Sequence, residues 1–128
     1  MDLQERLNKA WELKKSGDHM TALRFYHEVF NELGGEAAAY ARMQPGTLTE
    51  TIEGGEKVRT IQPEYLEKAK HYLRRDKIAC TISNNMAVIF AELGDIASAR
   101  KLFEQAIELT PEGFDYPDPR IALEELGK

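Results

Sequence analysis

Apolar residues recur at three- and four-residue spacings along most of this chain. From Cys80 to Glu92 the residues read CTISNNMAVIFAE, with Ile82, Met86, Ile89 and Phe90 on one stripe and Ala87 beside them. That is the pattern of an amphipathic helix. Leu93-Gly94-Asp95 ends it, because glycine accepts a left-handed cap and Asp95 offers a side-chain oxygen to the free amides of the next helix. The following stripe, Ala99, Leu102, Phe103, Ala106, Ile107 and Leu109, runs to Thr110-Pro111, so the two helices form a tight hairpin. An earlier copy spans about Asp2 to Ser16 and His19 to Leu33. It has Gly17-Asp18 at its turn and Ala10, Leu13, Ala22 and Tyr26 at matching small and large positions. Gly34-Gly35 is expected to break the second helix.

The two turn glycines lie 77 residues apart, and the chain between them reads less regularly. Glu36 to Met43 is alanine-rich and helical in propensity, and Pro63 to Arg75 is a helical stretch with Leu66, Ala69, Lys70 and Leu73 spaced as a face. An insertion at about Gln44 to Gln62 separates them. Its core, TLTETIEGGEKVRTI, reads either as a β-hairpin turning at Gly54-Gly55 or as a polar loop, since an isolated two-stranded hairpin is marginal in water. After Pro111, turn residues lead to Asp118-Pro119 and a short amphipathic helix with Ile121, Ala122, Leu123 and Leu126. With Phe114 and Tyr116 it is placed as a lid on the core.

The last hairpin resembles a tetratricopeptide repeat. Met86, Ala87 and Phe90 stand at that family's Leu, Gly and Tyr positions, and Ala99, Phe103 and Pro111 at its Ala, Phe and Pro. Ser83 stands where a large aromatic is usual, and Arg6, Lys9 and Gly34 depart from the pattern in the first copy. Polar residues at Arg6 and Lys9 suit a terminal cap. The resemblance implies an all-α fold, a short right-handed superhelix or α-solenoid of about three helical hairpins. The repeats would span about residues 3–34, a degenerate middle repeat at 35–77 carrying the loop or hairpin insertion, and 80–113, with a capping helix at 118–127.

Composition narrows the function classes. Of 128 residues, 17 are basic and 22 acidic, a formal charge of −5, the wrong sign for gripping a nucleic-acid backbone. The cluster His71, Arg74, Arg75 and Lys77 reads as a solvated helix end. One cysteine, Cys80, excludes an internal disulfide and a cysteine-based zinc site. No apolar run reaches the length of a membrane span, and the amino terminus lacks a secretory signal pattern. A cytoplasmic protein is expected, with neither nucleic acid nor membrane as partner. No nucleophile–base pair, metal-ligand spacing or phosphate-cradling loop is present. His19 and His27 read as exposed histidines and Cys80 as an inert packed thiol, so no enzyme, metal or cofactor is expected.

What the resemblance implies instead is binding of a peptide or partner protein on the concave face lined by the first helix of each repeat. The inner-face positions there are Gln4, Leu7, Asn8, Trp11, Lys14 and Lys15 in the first copy, and Thr81, Asn84, Asn85, Val88, Ala91 and Glu92 in the last. Candidate contacts are Asn8, Trp11, Lys14, Lys15, Asn84, Asn85 and Val88. Asn8 and Asn85 occupy the same place, where an amide serves a ligand backbone or is a common residue without that role. Trp11 shares a stripe with Leu3 and Leu7, where a large aromatic is more often core than ligand contact; its burial decides. Lys14 and Lys15 suit an acidic segment, although lysines at a helix end are usually just solvated. The family's carboxylate clamp needs a lysine and an asparagine where this chain has Leu7 and Trp11, so capture of a terminal carboxylate is disfavoured. The alternative is a homodimer or accessory subunit of a larger complex, with Phe25 and Phe30 as the apolar residues left for self-association.

Overall fold

A computed structural model describes residues 2–41, 48–75 and 77–127. The chain is mostly helical with one small sheet, in the order α1 (Leu3–Lys15), α2 (His19–Ala41), β1 (Leu48–Glu53), β2 (Glu56–Ile61), α3 (Pro63–Leu73), α4 (Ile78–Glu92), α5 (Ile96–Leu109) and α6 (Asp118–Leu126).

Each helical hairpin is set by local chemistry. The Glu5 N–H donates to Asp2 at 2.8 Å, capping α1, and the Ser98 N–H donates to Asp95 at 3.2 Å, capping α5. Gly17 and Gly94 take φ of 93° and 84° at the two turns, a conformation that penalises any side chain. α1 then folds back on α2, and α4 on α5. Ala10, Ala22, Ala87 and Ala99 are fully buried; small residues there let the helix axes approach closely. Ser83, at the position where the family usually has an aromatic, is fully buried and donates to the Leu102 carbonyl at 2.8 Å, which satisfies a hydroxyl inside the core.

The middle of the chain departs from a third helical hairpin. α2 does not stop at Gly34-Gly35 but runs through to Ala41. Two helical glycines cost roughly 1 kcal/mol each, and tertiary packing offsets it: Ala37 and Ala38 enter the core, and the Tyr65 hydroxyl donates to the Gly34 carbonyl at 3.0 Å. The end of the expected 36–43 helix and the start of the insertion at about Gln44 lie outside the described residues. From Leu48 onward the segment forms a β-hairpin and then the single helix α3, which packs on α2.

Of the two readings of the insertion, the hairpin is observed. β1 and β2 pair antiparallel with Leu48 opposite Ile61 and Glu53 opposite Glu56, and Gly54 and Gly55 both take positive φ in the turn, as a two-residue turn between twisted strands requires. The hairpin avoids being marginal by borrowing a helix as its third strand. The Arg59 N–H donates to Ser98 Oγ at 2.9 Å, and the buried Gln105 side chain takes both backbone groups of Ile61, accepting at 3.0 Å and donating at 2.8 Å. Val58, Thr60 and Ile61 are each 2% exposed or less. On the other edge the Leu48 N–H donates to His27 Nε2 at 3.2 Å.

α4 lies at the centre. It packs on α2 and α5, and nine of its residues are buried. α6 packs on α5, behind a linker in which Phe114 and Tyr116 stack at 5.3 Å. No helix among the described residues is long and apolar enough to cross a membrane.

Candidate functional site

α4 is buried on most of its circumference, yet one stripe remains open: Ile78, Thr81, Asn85, Val88 and Ala91, with Asn84 beside it, spaced three and four apart. α1 forms one wall along this stripe and α6 the other. Three hollows succeed one another along α4. The first, about 520 Å³, lies between Gln4, Leu7, Asn8, Trp11 and Lys15 of α1 and Ile78, Thr81 and Asn85 of α4. The second, about 410 Å³, touches all three helices at Trp11, Asn84, Asn85, Val88, Asp118 and Ile121. The third, about 360 Å³, is almost wholly apolar, between Val88, Ala91 and Phe103 on one side and Ala122 and Leu126 on the other. Trp11 and Asn85 line both the first and the second; Val88 and Ala122 line both the second and the third. The hollows form one continuous groove.

The seven candidate contacts divide within it. Asn8, Trp11, Lys15, Asn84, Asn85 and Val88 all line the groove. Trp11 is not core, as its stripe suggested: it is 38% exposed, because α1 is an end helix with only Ala10 fully inside. Lys14 is diverted. Its ammonium lies 2.8 Å from Glu92 and 4.6 Å from the centre of the Trp11 ring, so it buttresses the tryptophan and bridges α1 to the end of α4.

The amides differ in what they have left to offer. Asn8 accepts from Gln4 at 3.0 Å on the exposed face of α1. Asn85 donates its Nδ2 to the Tyr26 hydroxyl at 3.2 Å, which leaves its oxygen as the atom available to a ligand. Burial pushes the Tyr26 hydroxyl up to about 12, the Asn85 bond acting the other way. Asn84 is only 6% exposed, and its Oδ1 has no hydrogen-bond partner among the described residues. An unpartnered buried acceptor costs roughly 1–3 kcal/mol. The Tyr116 hydroxyl is pushed up to about 12 by burial, while hydrogen bonds from Thr81 and Asn84 act the other way.

Charge is unevenly arranged. Glu92 is tied to Lys14 and to His19 Nε2, both at 2.8 Å, and the Lys14 hydrogen bond first of all holds its carboxyl below the usual range. Lys15 and Lys77, which line the first hollow, meet no carboxylate among the described residues. Lys77 lies over the Phe114 ring at 4.7 Å. Among the described residues Glu12 is the one acid lining that hollow.

The other residues singled out by the sequence have structural roles away from the groove. His19 and His27 are half-buried and hydrogen-bonded rather than exposed. Cys80 is fully buried, and burial pushes its thiol up, away from the reactive thiolate. Phe30 is 1% exposed and so is not left for self-association, while Phe25 is half-buried against the core. Arg6 makes a two-point ion pair with Glu32 of α2, and Arg74 donates to the Glu108 carbonyl at the end of α5.

Sequence reasoning misses the α6 wall. It places Asp118 and Ile121 only in a lid on the core, yet Ile121 is 54% exposed at the groove. The available signal is its place at the edge of the Ala122, Leu123 and Leu126 stripe. Compared with known proteins, the chain matches no family model, no curated protein and no solved structure.

Proposed function

We propose that this protein is a small tetratricopeptide-like scaffold that holds an extended segment of another protein in the groove floored by α4. In this reading the two helical hairpins are stacked repeats of a short superhelix, α6 is the capping helix, and the β-hairpin with α3 is an excursion between repeats. The role is binding, without catalysis, metal or cofactor.

One observation carries the reading: Trp11, Val88 and Ile121, apolar and accessible to different degrees, converge from three helices on one hollow flanked by Asn84 and Asn85. Apolar surface of that kind, rimmed by amides, is the composition of a recognition site, with tryptophan the residue that most concentrates binding energy. An extended chain suits the succession of three small hollows, about 520, 410 and 360 Å³, that follow one another along α4.

Trp11 is the single tryptophan and reports on its own site. Selection from displayed random octapeptides, then titration of a selected peptide, should shift the Trp11 emission to shorter wavelength. Trp11→Ala should weaken binding at least roughly tenfold, about 1.4 kcal/mol. Selected peptides that leave Trp11 emission unchanged would sink the proposal.

A further inference from the structure

We infer that the groove reads a partner segment in which two apolar side chains, two residues apart, seat in the second and third hollows, within a basic rather than an acidic sequence. The inference rests on the groove being the peptide site and specifies which sequences it accepts.

The spacing comes from the two helices that flank these hollows. The second hollow reaches from Asn84 to Val88 on α4 and from Asp118 to Ala122 on α6, and the third from Val88 to Glu92 and from Ala122 to Leu126. Each helix therefore advances four residues, about 6 Å, from one hollow to the next. Side chains on one face of an extended chain repeat every two residues, about 6.6–6.8 Å. Because both walls advance by the same step, an extended segment lying along the seam between α4 and α6 stays in register with both hollows.

The side chains that fit are apolar. The second hollow presents Trp11 and Ile121, 38% and 54% exposed, beside Val88. The third is lined by Val88, Ala91, Phe103, Ala122 and Leu126, and the small residues Ala91 and Ala122 are what leave it open. A partner's apolar side chains there remove from water surface that the free chain exposes.

The preference for basic sequence follows from the lining charges. Among the described residues every charged side chain at these two hollows is acidic: Asp118 at the second, Glu92 and Glu125 at the third. Glu92 is already tied to Lys14 and His19. Asp118 and the net charge of −5 remain to favour a cationic segment and to repel an acidic one. Lys15 and Lys77 line the first hollow and neither of these two, so they do not reverse that preference.

The test uses random octapeptides displayed between flexible flanks, so that no chain terminus is presented, selected on the full chain. The strongest binder is then made as an acetylated, amidated peptide and titrated against Trp11 fluorescence. Apolar-x-apolar sequences should be enriched, with Lys or Arg favoured over Asp or Glu in the remaining positions. Replacing either apolar residue of the peptide by serine, which leaves the protein untouched, should weaken binding roughly tenfold. Ala91→Leu, which fills the third hollow, should weaken the original peptide by a similar factor. It should cost little more once the peptide residue seated there is already serine, because the two changes then remove one contact. Apolar residues three or four apart, the spacing of a helical ligand, would overturn this inference while leaving the groove as a peptide site. So would a single required apolar residue, acidic enrichment, or full additivity of Ala91→Leu with both peptide replacements. If no peptide perturbs Trp11, both fall.

Discussion

The two helical hairpins have the same turn and different surroundings. At the first, the Gly17 N–H donates to the Lys14 carbonyl at 3.1 Å, the Asp18 N–H to Leu13 at 2.9 Å and the Ala22 N–H to Asp18 at 3.1 Å. At the second, 77 residues on, Gly94 donates to Ala91 at 3.1 Å, Asp95 to Phe90 at 2.9 Å and Ala99 to Asp95 at 3.1 Å. This is one hydrogen-bonded stop-and-restart written twice by Gly-Asp. Yet α1 buries only Ala10, whereas α4 buries nine residues. Turn geometry is local, but burial depends on neighbours: α4 has α2, α5 and the wall helices around it, and α1 stands at an end. The exposed end is what leaves Trp11 and Lys15 available to a ligand.

The difference is largest for side chains at matching positions. Phe90 of α4 and Leu13 of α1 correspond, but Phe90 is 3% exposed and Leu13 is half-buried. Phe90→Ala should cost about 3–5 kcal/mol, and Leu13→Ala under about 2 kcal/mol, read by urea unfolding at equilibrium. Equal losses would mean that α1 is as deeply built into the core as α4.

A second contrast separates α2 from α5. Ser98 and Gln105 of α5 hold β2, while Thr21 and Glu28, at the matching positions of α2, hold no strand. Gln105→Leu leaves the N–H and C=O of Ile61 buried without partners, and should destabilise by about 2–4 kcal/mol. Glu28→Leu on the exposed face should change stability by under about 0.5 kcal/mol. Amide exchange would show whether the loss at Gln105 opens the β-hairpin first.

These pairs also explain what was legible in the sequence. Both turns and the cap at Asp95 can be read from local sequence, and six of the seven candidates that the resemblance implies line the groove, because a helix puts residues three and four apart on one face wherever it packs. Gly34-Gly35 misleads because propensity says nothing of Tyr65, 31 residues away, whose hydroxyl meets the Gly34 carbonyl. The middle repeat is an expectation from the family period and from helical propensity at 36–43 and 63–75, of which α3 (Pro63–Leu73) forms as a separate helix and residues 36–41 continue α2. The β-hairpin turning at Gly54-Gly55 is one of the two readings local signals allow, but its anchor on Gln105, 44 residues from Ile61, is a long-range pairing invisible to any local window. Lys14 reads as a contact because its ion pair with Glu92 of α4 cannot be seen from α1. Ile121 escapes notice because a capping helix is expected to have one working face.

If the turns are alike in energy as well as geometry, Gly17→Ala and Gly94→Ala should destabilise alike, by about 1–2 kcal/mol each. A Cβ at either position meets no heavy atom within 4 Å, so only the backbone conformation is penalised. Thermal unfolding of the two variants should differ by less than about 0.5 kcal/mol. A wider gap would show that the second turn is strained by its tertiary contacts.

The smallest effect distinguishes the two edges of the β-hairpin. β2 is held by a hydroxyl and an amide, which do not titrate near neutrality, and β1 by His27, whose Nε2 must be unprotonated to accept from the Leu48 N–H. Burial lowers the His27 pKa from its ordinary 6.5, with Glu28 nearby acting the other way. Between the lowered folded value and 6.5 the unfolded chain binds more protons, so stability rises with pH across that window. The contribution is complete above 6.5, falls as the pH drops through the window and is flat below it. The difference in unfolding free energy between the wild type and His27→Leu, measured from pH 8 to 5, should change by under about 1 kcal/mol in that sense. The protection factor of the Leu48 amide should fall as the pH drops over the same range, while those of the Arg59 and Ile61 amides, donated to Ser98 and Gln105, hold. Loss of protection on both strands together would mean that the hairpin opens as one unit and that its two anchors are not independent.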